Sequence, residues 1–83
     1  MPEIALKSWR RTAVRCLAGY KANERPVSFL GDEDEIEIRT ILESWREPDY
    51  QYFKVETGSG HVYELRCDES GDSWQVRELR QRR

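Results

Sequence analysis

Cysteine and histidine are scarce in this chain: two of the first and one of the second in 83 residues. Cys16 and Cys67 belong to no CxxC pair and to no Cys/His cluster, and His61 stands alone. A zinc centre takes four protein ligands, or three and an open position, so no metal is expected, and nothing calls for a cofactor. Both cysteines fall among apolar residues at strand positions, where buried thiols are the default and a disulfide the minority reading. Long apolar runs are also missing. No segment approaches the roughly 18–20 apolar residues that span a bilayer, and MPEIALKSWRR is too short and too charged for a signal peptide. A cytoplasmic protein without membrane contact is expected.

The shortage of histidine bears on catalysis. His61 follows Gly60 in what reads as a hairpin tip, a poor place to hold a general base within about 0.5 Å of a productive geometry. GSG and GDED lack the GxxxxGK[ST] pattern and the helix that a phosphate loop needs. The consecutive acids of residues 32–37 read as a solvated turn. The chain is expected to be non-enzymatic, with no catalytic residues.

What is present is charge and aromatic rings. Charged residues make up 36% and apolar ones 37%, with mean hydropathy at -0.90, yet two Phe, three Trp and four Tyr argue against disorder. A chain this short buries only roughly 60–65% of its unfolded surface, so its core is thin. One small domain over 1–83 is expected, ordered over about 12–79, with 1–11 and 80–83 loose. Residues 1–30 hold six basic and two acidic groups, residues 31–72 four and thirteen, and residues 73–83 four and one. An acidic middle between basic ends is a poor footprint for general nucleic-acid binding.

The pattern is that of strands. YQYFKVET, HVYELRCD and SWQVREL alternate apolar and polar residues and are separated by GSG and ESGD. They read as a three-stranded antiparallel meander wetted on one side. Its predicted core is Phe53, Val55, Tyr63, Leu65, Cys67, Trp74 and Val76, with Tyr50 and Tyr52 facing outward. Leu79 lies out of phase and suggests a bend or the end of the strand. Upstream, TAVRCLAGY and PVSFL read as two further strands, the second with Val27 and Phe29 on one face. EIEIRTILESWRE is ambiguous: Ile38, Ile41, Leu42 and Trp45 have helical spacing, while Ile36, Ile38, Thr40 and Ile41 are β-branched. A bent strand with a bulge near Thr40–Ile41 explains both. The expected fold is all-β: five or six antiparallel strands in a strongly bent sheet or half-open small barrel.

Two surfaces are candidates for function. The first is aromatic and acidic: Trp45, Glu47, Asp49, Tyr50 and Tyr52 cluster around a proline bend and would suit a protein or peptide partner. The alternative is a nucleic-acid site using the basic termini, with Arg10, Arg11, Arg15, Arg77 and Arg80 at its centre, Lys7, Arg82 and Arg83 beside them, and Trp9 as a stacking ring. A monomer or weak dimer is expected, a dimer forming through the edge of PVSFL.

The order RPVSF, then ILESWREPDYQYFKVET, then HVYELRCDESGDSWQV resembles a group of short bacterial proteins of the domain of unknown function 6504 and its relatives. The likeness spans about Arg25 to Val76 and rests on scattered aromatic and apolar positions. It implies a bacterial origin and an all-β fold, and it implies no activity. Where relatives often carry basic residues this chain has the acidic GDEDE turn, so a charge-based role is not carried over.

Overall fold

The structure, a computed structural model, describes residues 4–5, 8–17, 25–31, 33–71 and 73–80. Its strands are β1 (Ile4–Ala5), β2 (Arg10–Thr12), β3 (Val14–Leu17), β4 (Arg25–Leu30), β5 (Glu35–Arg46), β6 (Tyr50–Thr57), β7 (Val62–Asp68) and β8 (Trp74–Arg80). Every pairing is antiparallel, and the described residues contain no helix. The strands follow the order β1-β8-β7-β6-β5-β4-β3, with β2 also on β8. The expected all-β, strongly bent half-barrel is the fold observed, with eight strands in place of the five or six expected, because β1 and β2 add to the side of β8.

Bending is concentrated in two places. β5 begins on β4, pairing Glu35 with Leu30 and Glu37 with Ser28, and then passes to β6, where Ile38 faces Thr57. Its register shifts between Ile38 and Thr40 and again between Ile41 and Glu43, on either side of the Thr40–Ile41 step. An extra residue on one strand of a pair bends that strand and increases its twist, which is how β5 carries the sheet round from β4 to β6. The apparent helical spacing in this segment is the slip these bulges produce.

The second place is Ala13. The run expected as one strand from Thr12 divides there: Arg10–Thr12 pair with β8, and Val14–Leu17 pair with β4. Ala13 O accepts the Leu30 N–H at 2.9 Å, and the Thr12 hydroxyl donates to Leu30 O at 2.8 Å. One segment therefore straps the two ends of the curled sheet together. Strand pairing begins before residue 12, where β1 and β2 fill the free side of β8. The expectations for residues 1–3, 6–7, 18–20 and 81–83 lie outside the described residues.

PVSFL is not an edge. Ser28 and Phe29 pair with Arg15 and Val14 on one side and with Glu37 and Ile36 on the other, so the dimer edge expected there is already occupied. Pro26 fits β4 because the register skips Val27 opposite Arg15 and Cys16, and an irregular position tolerates a residue with no N–H.

The core is centred on Phe29, Val55, Leu65 and Val76, none more than 1% exposed. Phe53, Tyr63 and Trp74 pack against this cluster while half-buried, and Cys67 is buried. Val62 and Leu79 are buried too, although alternation puts them on the other face; they are direct cross-strand partners there, with Leu79 also facing Ala5. The meander turns use Gly60 at φ 90° and Gly71 at φ 82°, a region costly for residues bearing a Cβ. Cys16 on β3 and Cys67 on β7 are not joined in a disulfide.

Candidate interaction surface

The outer face of the meander carries the rings that the core does not use. Cross-strand register lines up Arg11, Gln75, Arg66, Tyr52 and Trp45 in one row running from β2 to β5. The next row runs Arg77, Glu64, Lys54 and Glu43. Opposed residues on one face of an antiparallel sheet lie about 4.5–5.5 Å apart at Cβ, close enough for ring and guanidinium contact.

The contacts follow this lattice. Trp45 and Tyr52 stack with centroids 5.2 Å apart and planes 1° from parallel. Tyr50 meets Tyr52 edge-on at 6.0 Å, and Trp9 meets it tilted at 6.2 Å. The Arg66 guanidinium lies 4.3 Å from the Trp9 ring centre and 4.3 Å from that of Tyr50, while Arg77 lies 4.4 Å from Trp9. Both cations are also held by their edges: Arg66 Nε donates to Gln75 Oε1 at 2.6 Å, and Arg77 Nη2 pairs with Glu64 Oε1 at 2.7 Å. Four rings and two guanidinium groups thus form one half-buried assembly. Cation–π contacts of this kind stabilise by about 0.5–1 kcal/mol at exposed sites and more when desolvated.

Trp45, Tyr50 and Tyr52 are brought together on one face. Glu47 and Asp49 are not among their ring partners; they sit exposed in the tight hairpin loop between β5 and β6, and the charged groups against the rings are Arg66 and Arg77. The basic residues of the alternative surface are dispersed. Arg11 and Arg77 lie on the ring-bearing face, while Arg10 pairs with Val76 and lines a cleft of about 390 Å³ with Glu33, Asp34 and Glu78. Arg15 is on β3, ion-paired with Glu35 at 2.5 Å. Arg80 closes β8 opposite Ile4, and Lys7, Arg82 and Arg83 lie outside the described residues. Reading along the sequence missed Arg66 and the Trp9 contact. Arg66 alternates with Leu65 and Cys67 and so had to face outward, but its ring partners come from β6 and from the segment before β2.

The row ends at Trp45, because the second half of β5 is an edge. Residues 38–46 pair with β6, and among the described residues no strand pairs with them on the other side. The hairpin shows which groups point outward. Glu47 and Tyr50 exchange both backbone bonds, at 2.9 and 3.2 Å. Hydrogen-bonded pairs alternate with non-bonded ones in an antiparallel ladder, so Ser44 and Arg46 turn their N–H and C=O groups away from β6.

His61 is exposed at the β6–β7 turn, where Ser59 Oγ lies 2.9 Å from its Nδ1. No group of three or more His, Cys, Asp or Glu able to hold a metal ion occurs among the described residues. No helix among them is long and apolar enough to cross a membrane. No family model matches the chain, and neither a curated protein nor a solved structure matches it.

Proposed function

We propose that the chain is a non-catalytic interaction module of the bacterial cytoplasm that receives an extended segment of another protein along the free edge of β5, with Trp45 as the anchor. The observation carrying this reading is that the aromatic row stops at an edge whose backbone groups at Ser44 and Arg46 point outward. An added strand would take those hydrogen bonds and set a side chain against Trp45, the usual division between affinity and specificity in strand addition. Origin rests on the resemblance over Arg25 to Val76, and the compartment on the scarcity of cysteine in the sequence.

Stacking of nucleobases is favoured less. The open faces of Trp9 and Tyr50 are already taken by Arg66 and Arg77, and Arg77 is neutralised by Glu64. Affinity capture with the natural domain and with Trp45→Ala, side by side, tests the proposal. A protein retained by the natural domain should fall by about tenfold on Trp45→Ala, with unfolding still cooperative and the midpoint lowered only by the several degrees that loss of the Tyr52 stack accounts for. Equal capture by both, or material that a nuclease removes, would overturn it.

A further inference from the structure

The β5 edge does not begin in open solvent. Where the first bulge turns β5 from β4 towards β6, the two strands part, and a cleft of about 280 Å³ opens between them. Its lining is mixed: Leu17, Pro26, Val27, Ile38 and Ile41 supply the apolar part, and Arg25 and Arg39 complete it. Leu17 is 60% exposed and offers apolar surface at the mouth of the cleft. Arg25 and Arg39 are both exposed, and neither makes an ion pair among the described residues. Arg39 is one of only four basic groups that residues 31–72 set against thirteen acidic ones.

From these observations we infer that the segment received by the β5 edge is acidic and apolar in alternation: an aliphatic or aromatic side chain enters the cleft beside Ile38 and Ile41, and flanking carboxylates meet Arg25 and Arg39. The inference rests on the edge reading above and adds the chemistry of the partner. Residues 38–46 span about 26 Å at the usual strand rise, so a segment of about eight or nine residues reaches from the cleft to Trp45. The apolar side chains of the lining give the segment a place to lose water, and the two guanidinium groups select its charge and can bind carboxylates bidentately. Two bulges make the first part of this edge a poor template for a long regular strand, so the docking unit is a short segment with one side chain buried, not an extended sheet.

The probes are fluorescein-labelled nonapeptides with Val at alternate positions and Glu, Gln or Lys between, followed by anisotropy at low and moderate salt. The Glu peptide should bind at least about tenfold more tightly than the Lys peptide, with a difference that shrinks as salt rises. The double variant Arg25→Glu/Arg39→Glu should abolish or reverse that order. Ser44→Pro, which removes an outward N–H without touching the β6 ladder, should weaken all three peptides. Binding with no charge preference, or a preference that the double variant leaves intact, would overturn the assignment of an acidic partner while leaving the edge reading in place. Binding that Ser44→Pro leaves unchanged would overturn the edge reading itself. Absence of saturable binding by any peptide overturns both, as does self-association of the domain that Ser44→Pro abolishes, which would make a second copy the occupant.

Discussion

Glu35 joins three strands through one carboxylate. Its Oε2 accepts from Ser28 Oγ at 2.5 Å and from Arg15 Nη2 at 2.5 Å, linking β5 to β4 and β3. The Ser28 hydrogen bond, then that of Arg15, holds the Glu35 carboxyl below its ordinary range, and Glu35 in turn pushes Arg15 up. A carboxyl with a depressed folded-state pKa stabilises the fold above its unfolded value, near 4.3, and loses that contribution as pH falls through the folded value. Natural protein and Glu35→Gln should therefore differ in urea midpoint at neutral pH and converge as the pH drops below about 4. A gap that persists into strong acid would show that the carboxylate's charge is not what holds the three strands. Ser28 is 3% exposed, so its hydroxyl has no water to turn to if the carboxyl is removed.

Among the elements, the meander was the most legible, because one face is buried and alternation has a period of two. That rule correctly placed Val55, Leu65, Cys67 and Val76 inside, and it put Tyr50 and Tyr52 on the opposite face. It failed for Val62 and Leu79, since burial on the outer face arises from cross-strand pairing and leaves no periodic trace in either strand. β5 was legible once its β-branched residues were weighed against its spacing. The ring assembly was half legible: Trp45, Tyr50 and Tyr52 are neighbours across a short hairpin, whereas Arg66, Arg77 and Trp9 arrive from distant segments that no local pattern connects. The contrast between faces gives an expected outcome. Leu65→Ala, at 0% exposure, should cost about 2–5 kcal/mol by denaturant unfolding. Leu42→Ala, at 41% exposure beside the second bulge, should stay within about 0.5 kcal/mol. Similar losses at both sites would mean that β5 packs in a way this register does not provide.

For the whole molecule, the organising contact is the strap of β2 and β3. Its first half lies on β8 and its second on β4, so segments some sixty residues apart in the chain, Thr12 and Trp74 for instance, meet only when folding is nearly complete. High sequence separation slows folding, and proteins of this topology refold in roughly milliseconds to seconds. The same connection should make the two ends of the sheet open together. Thr12→Val keeps the side-chain volume but removes the hydroxyl that donates to Leu30 O and accepts from Leu30 N–H. Hydrogen exchange should then quicken in β4 and β8 alike, with about 0.5–1.5 kcal/mol lost from both. Faster exchange in β4 alone would mean that the strap does not couple the two ends. Division of the strap at Ala13 could not be read in advance, because TAVRCL alternates without interruption and the change of partner is made by hydrogen bonds to Leu30.

The flat stack of Trp45 on Tyr52 acquires a further meaning from its surroundings. Tyr52 is braced by Tyr50 and Trp9, and these are clamped by Arg66 and Arg77. The indole is thus immobilised before any encounter, its rotamer chosen by neighbours that reach back across the width of the sheet. A ring already frozen loses little conformational freedom when something settles against it. Loosening Arg66, two strands from the edge, should therefore be felt at Trp45 as a change in its mobility well before any change in its position.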